Sequence, residues 1–385
     1  MDLRTWVHSV LSRAENTDAE GLASLLFSTT LQPYSGSTES AISSLIANKA
    51  GWEGWTAFLT AHADFLAGPR TLSKLTTSLS LFSQVFQDQV QGAWSLPLVH
   101  RFTRAVCSLL PAQQRGKSSK KLDTVVNELQ KLLGICQRTS EKPPDSKLMG
   151  LLDVMNALFR LYFRLNNVQL CVNLLKIVNN PHSRLPSIQY FPIADQLEFR
   201  YYEGRLSIYE QQIIKAEECL DSCLARCPSG SVRNKRLILE YLIPVKAARG
   251  KYPSKGLLER YGRGEVGVVL EAVRKGDVGG FERELGRRQE GFVRTGMLIM
   301  MQGLELLTYR NLFKKTALLL GQSQIPFQRL HTALSSVDAS VSPDQLECIL
   351  VRLISKGWIK GYLSHEHKVI VLNKKTSAFP RISEC

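Results

Sequence analysis

The sequence predicts a mainly all-α fold, an α-solenoid of helical hairpins that ends in a C-terminal winged helix with a small β-hairpin. Two observations carry the prediction. From residue 52 onward, apolar residues recur at helical spacing in segment after segment, separated by Pro- and Gly-rich breaks and with almost no period-two alternation. Within 342–372 the pattern changes, passing from a capped helix through a glycine to two short alternating runs. Helix, glycine, strand, turn, strand is the back half of a winged helix.

In chain order, residues 1–50 form a variable N-terminal segment with one amphipathic helix at 3–13. The Ser/Thr/Gly-rich stretch at 28–44 reads as a loose linker with a short helix after it, and this region is expected to be the least ordered. Residues 51–295 read as a helical-repeat region with helices at 52–66, 71–90, 96–110, 120–137, 147–165, 168–178, 194–209 and 213–225. Breaks such as Gly68-Pro69, Pro143-Pro144 and Pro228 to Gly230 turn consecutive helices back on one another, so each pair buries its apolar stripe on the next. No fixed sequence period accompanies this structural repeat. The run QQRGKSSKK at 113–121 is a basic loop, and the helix beginning near Arg233 is expected to break at Pro244.

Residues 296–385 are assigned to the winged helix. Helices at 304–320 and 327–334 come first, the second opened by Pro326. Ser342, Pro343 and Gln345 then form a capping box, and Leu346, Ile349, Leu350, Leu353 and Ile354 step by three and four along one buried face. Gly357 supplies the left-handed stop. Ile359, Gly361 and Leu363 alternate with Trp358, Lys360 and Tyr362, and a β-branched run at 368–372 completes the hairpin.

The chain has 385 residues and a net charge of +15, very unevenly placed. Residues 1–230 hold 23 Lys+Arg against 20 Asp+Glu, whereas 231–385 hold 26 against 14. Such an excess is the electrostatic footprint of a nucleic-acid binder, although an acidic protein partner would select the same asymmetry. The cations placed to meet phosphate are Arg310, Lys314, Lys315, Arg352, Lys356, Lys360, Lys368, Lys374 and Lys375. Tyr309 and Phe313, four apart, read as core beside that basic strip.

Catalytic and metal chemistry find little purchase in the sequence. Gly262, Gly264 and Gly267 match a dinucleotide fingerprint but follow a helical pattern rather than a strand, so they read as an inter-helix turn. Cys219, Cys223 and Cys227 share a helix face without a neighbouring histidine and read as packing residues; His365 and His367 fall at the tip of the predicted wing. No nucleophile elbow, zinc-protease motif or phosphate-binding loop is present, so a protein that is not an enzyme, with no cofactor and no metal, is expected. No apolar run is long enough to span a membrane, and the start lacks a signal-peptide core, which points to a soluble intracellular protein.

Four stretches carry a family resemblance: YYEGR at 201–205, NKRLILEYLIPVK at 234–246, LTYRNLFKK at 307–315 and QLECILVRLISKGWIKGYLSHEHKVIVL at 345–372. They resemble the PCI domain-containing protein two family, which includes the PCI subunit of the nuclear transcription-and-export complex two and the signalosome subunit twelve-like proteins. The resemblance implies a PCI domain over about 190–385. It also implies a larger PCI-containing scaffold of the germinal-centre-associated nuclear protein type as partner, the two winged helices forming one sequence-nonspecific RNA- or DNA-binding platform. A small acidic, disordered protein of the split hand/split foot type would clamp the helical region before the winged helix, where 231–275 holds 11 Lys+Arg against 4 Asp+Glu. The positions expected to meet partners are Arg233, Lys235, Arg236 and Lys246, with the apolar Leu346, Leu353 and Trp358. The implied role is coupling transcription to messenger RNA export in the nucleus, at nuclear pores, with some of the protein cytoplasmic; the alternative is a signalosome-like scaffold that touches no nucleic acid. The GRGEVG run at 262–267 departs from the family's usual helix formers.

Overall fold

A computed structural model describes the chain apart from residues 33, 35, 36, 48–51, 89–91, 111–119, 140–142, 181–184, 375, 376 and 383–385. The basic loop expected at 113–121 therefore lies mostly outside the described residues, as does Lys375. The chain divides into two compact units, Met1–Tyr202 and Glu203–Cys385.

The first unit is built of α1 (Leu3–Glu15), α2 (Ala19–Ser28), α3 (Thr38–Ile46), α4 (Glu53–Ala67), α5 (Leu72–Asp88), α6 (Leu96–Leu109), α7 (Lys120–Gln137), α8 (Leu151–Arg164), α9 (Val168–Val178) and the first turns of α10 (Ile193–Tyr209). Neighbouring helices pack as hairpins, α4 on α5, α7 on α8 and α8 on α9, in the manner the sequence predicts. The N-terminal fifty residues depart from expectation. Asp2 and Asp18 cap α1 and α2 by accepting from Thr5 N and Gly21 N, and Trp6, Val7, Val10, Leu22 and Leu26 are fully buried. The apparent linker at 28–44 contains most of α3, with Ile42 and Ile46 in the core. Serine-rich composition masked an amphipathic pattern that tertiary packing uses. At the centre of this unit Phe58, Phe82 and Phe102 pack ring on ring, with centroids 5.0 to 6.2 Å apart. Beside them buried His62 bridges Ser78 Oγ at 2.8 Å and the Leu26 carbonyl at 2.9 Å, tying α2, α4 and α5 together.

The second unit continues through α11 (Ile213–Arg226), α12 (Val232–Ala248), α13 (Lys255–Arg260), α14 (Gly264–Lys275), α15 (Val278–Arg287), α16 (Gln289–Thr295) and α17 (Leu298–Gln302). Gly204 on α10 lets α11 approach closely: a Cβ there would stand 2.8 Å from Leu220 Cγ. Arg205 then lays its guanidinium 4.6 Å from the Tyr241 ring centre. α12 runs through Pro244 without breaking, because Tyr241, Leu242, Ile243, Pro244 and Val245 are all buried and packing outweighs the lost backbone bond. Gly262, at φ +60, forms the turn between α13 and α14 as expected of an inter-helix glycine.

The winged helix follows: α18 (Glu305–Leu320), β1 (Gln324–Pro326), α19 (Phe327–Ser335), α20 (Pro343–Ser355), β2 (Gly361–Ser364) and β3 (Val369–Leu372). The capping box forms as the sequence predicts, with Ser342 Oγ accepting from Gln345 N and the Gln345 side chain accepting from Ser342 N. A third strand joins the predicted hairpin, giving an antiparallel sheet in the order β1-β3-β2 with Ile325 and Leu363 both opposite Ile370. β1 is only three residues long, too short for alternation to register in the sequence. Gly361 is required by the sheet, since a Cβ would lie 2.3 Å from the Val371 carbonyl oxygen.

Candidate nucleic-acid interface

Helix α20 presents Gln345, Cys348, Arg352, Ser355 and Lys356 to solvent, all exposed. Arg352 and Lys356, four apart, share that face, and Lys356 Nζ stands 5.1 Å from the half-buried Trp358 ring. Lys360 and Lys374 are exposed nearby in sequence. Lys368 is exposed but paired: its ammonium and His365 both reach Glu347, at 3.5 and 2.7 Å. The hydrogen bond from His365, with Lys368 beside it, holds the Glu347 carboxyl below the usual range, so the wing carries an internal counter-charge.

Two groups of expected contacts are corrected. Leu346 is 1% and Leu353 0% exposed, packed with Leu330, Leu350 and Ile370 inside the winged helix, and neither is available to a partner. An apolar stripe says that a face is covered, and here the chain's own α18, α19 and sheet cover it. Arg310 is 5% exposed and donates inward, from Nε to the Trp358 carbonyl at 3.3 Å and from Nη2 to the Pro380 carbonyl at 2.5 Å, with its guanidinium 5.9 Å from the Phe379 ring centre. It pins Pro380 to α18 instead of standing free in solvent. Tyr309 and Phe313 are buried, as their spacing predicts, and burial beside Glu305 and Glu282 pushes the Tyr309 hydroxyl up to about 12.

Around Arg310 the structure assembles a feature the sequence did not show. A groove of about 700 Å³ is formed by the 249–252 turn, α14, α18 and residues 379–382. Among the described residues its lining holds seven cations and no carboxylate: Arg249, Lys251, Arg274, Arg310, Lys314, Lys315 and Arg381. Five are engaged within the fold, Arg310 as above and Arg274 through Glu271 at 3.1 Å among them. Arg249 and Lys251 are held from behind by Glu217; burial raises that carboxyl, but hydrogen bonds from Lys251 and Arg249 outweigh it and keep the net shift downward. Lys315 Nζ donates to the Lys275 carbonyl at 2.7 Å, closing the last turn of α14 where cations are favoured by the helix dipole. Asn311 joins the walls, donating to the Val273 carbonyl at 2.9 Å and to the Tyr252 hydroxyl at 3.3 Å. Gly276 makes the seam possible: at φ +72, a Cβ there would lie 2.5 Å from Leu312 N on α18. Of the residues expected to bind phosphate, Lys314 and Lys315 belong to this groove, while Arg352, Lys356 and Lys360 belong to the α20 side.

On the expected partner side, Arg233 and Arg236 are exposed at the start of α12 and Lys235 is half-buried with Nζ 3.4 Å from the Ser229 carbonyl. Lys246 pairs with Asp221 at 2.6 Å. Only Arg233 and Arg236 of this set combine exposure with no carboxylate contact among the described residues.

A helical unit followed by a winged helix with a basic flank defines a PCI-type protein, and residues 287–374 match the PCI domain family. The PCI domain-containing protein 2 homolog of Dictyostelium discoideum is 31% identical over 80% of this chain and 73% of its own length. PCI domain-containing protein 2 of Danio rerio is 30% identical over 85% and 82%, and Enhanced ethylene response protein 5 of Arabidopsis thaliana is 33% identical over 78% and 74%. The chain belongs to the PCI domain-containing protein 2 family, a class of PCI scaffolds and complex subunits.

Proposed function

We propose that this chain is a non-catalytic adaptor subunit of a nuclear complex coupling transcription to messenger RNA export, and that it holds nucleic acid on the basic flank of its winged helix beside a partner PCI subunit. The observation that carries the nucleic-acid part is the groove bounded by Lys314, Lys315 and Arg381, whose lining among the described residues holds no carboxylate. A polyanion gains there from several cations at once, and half-buried Tyr252 and Phe379 line the walls. The larger PCI scaffold and the acidic clamp are proposed from family resemblance, the clamp meeting Arg233 and Arg236. Base-specific reading is disfavoured, since α20 offers only Gln345 and Arg352 as good base readers.

The test is fluorescence anisotropy with single-stranded RNA across a salt series. Affinity should fall log-linearly with salt, and K314E/K315E should weaken binding and flatten the slope by roughly 0.7 per lost phosphate contact. R352E/K356E/K360E tests the α20 face in the same assay. If neither triple nor double variant shifts affinity, the winged helix serves only to pack on another subunit, the signalosome-like scaffold reading.

A further inference from the structure

Three helices of the first unit bring together residues that lie 53 and 42 positions apart in the chain. His100 on α6, Asp153 on α8 and Asp195 at the start of α10 place one imidazole nitrogen and two carboxylate oxygens all within 4.8 Å of one another. They line a small cavity of about 30 Å³, room for a single water-sized body, together with Thr103 and Asn156. Asn156 is 2% exposed; its Nδ2 donates to the Asp195 carbonyl at 3.0 Å, and its Oδ1 is buried without any hydrogen-bond donor. A buried amide oxygen lacking a donor costs about 1–3 kcal/mol, and Asn156 lines the same cavity as the two carboxylates. Asp153 is itself oriented, accepting from Thr103 Oγ1 at 2.8 Å through one oxygen and contacting His100 Nδ1 at 3.1 Å through the other. Of the arginines at the rim, Arg160 is engaged in a two-pronged pair with Glu198 and Arg104 is exposed to solvent.

We propose that His100, Asp153, Asp195 and Asn156 form a binding site for one divalent transition cation of the Zn²⁺ or Mn²⁺ class. One nitrogen and three oxygen donors suit that class, and Thr103 supplies the outer-shell hydrogen bond such carboxylate ligands use. Donors at about 2.0–2.2 Å from an ion lie roughly 3–4.4 Å from each other, a spacing that the His100, Asp153 and Asp195 atoms, within 4.8 Å of one another, approach. The ion would also cross-link α6, α8 and α10, giving the first unit a stability that depends on metal.

The experiment is titration of the full chain with MnCl₂, following loss of the free-ion electron paramagnetic resonance signal, with ZnCl₂ as a second titrant read by competition and by the melting temperature. One ion per chain is expected. Asp195→Asn, nearly isosteric and checked for fold by circular dichroism, should weaken binding at least tenfold and abolish the metal-dependent rise in melting temperature. His100→Gln should remove the imidazole nitrogen coupling from the bound Mn²⁺ spectrum. The proposal is overturned if neither ion binds at one per chain, or if Asp195→Asn binds as tightly as the natural chain; the cluster is then a His100–Asp153 ion pair only.

Discussion

Replacing Arg310 by alanine tests whether this side chain is a structural clamp. Its guanidinium donates to two backbone carbonyls, Trp358 at 3.3 Å and Pro380 at 2.5 Å, in a site only 5% exposed. Hydrogen bonds from a charged donor contribute about 1.5–3 kcal/mol each, and the longer of these two belongs at the low end. Removing both, and leaving the buried Pro380 carbonyl without its donor, should destabilise the second unit by roughly 3–5 kcal/mol. Arg310→Lys keeps the charge but not the planar fork, so it should recover about half the loss. Urea unfolding gives the size of the effect. Hydrogen exchange at the Lys360 amide, which donates to the Ala378 carbonyl at 2.8 Å, shows whether residues 378–380 have been released. An alanine variant unfolding within about 0.5 kcal/mol of the natural chain, with that amide still protected, would refute the clamp.

Three further outcomes follow from the geometry. Burial holds His62 down to about 4 in the folded chain against 6.5 for an exposed histidine, so the unfolded chain takes up a proton first as pH falls. Stability present above about pH 6.5 is therefore lost between 6.5 and 4, on the order of 3 kcal/mol, and His62→Gln should flatten that part of a pH series of melts relative to the natural chain. Gly276→Ala should destabilise by about 2 kcal/mol or more, since the residue combines a left-handed φ with a 2.5 Å approach to Leu312 N, and calorimetry reads this directly. Glu347→Gln removes the partner of His365 and Lys368, and RNA affinity by anisotropy should rise severalfold at low salt with little change at high salt.

The winged helix was legible because its signals are local. Ser342, Pro343, Gln345 and Gly357 punctuate α20 within one stretch of sequence, and Gly357 does take a left-handed φ of +70. The groove was not legible, because its walls come from around 250, 274, 314 and 381, and no local pattern predicts that residues 379–382 fold back onto α18. Arg310 was misassigned for the same reason: a basic residue between Tyr309 and Asn311 looks solvated until the carbonyls of Trp358 and Pro380 are placed around it. The α2 and α3 helices were obscured by serine-rich composition, although Leu22, Leu26, Ile42 and Ile46 have the spacing of a buried stripe. The His100, Asp153 and Asp195 grouping joins residues too far apart in sequence for any ligand-spacing motif to find.

Gly276 also fixes how the two helices behind the groove meet. With no side chain between the end of α14 and the backbone of α18, Arg274 and Lys315 are mounted on helices that meet backbone to backbone. The main chains beneath those two cations are thus held in register, and only the side chains are left to adjust. A methyl group at this one position would push the end of α14 off α18 and carry Arg274 away from Lys315, so the spacing of the basic wall hangs on a side chain that is absent.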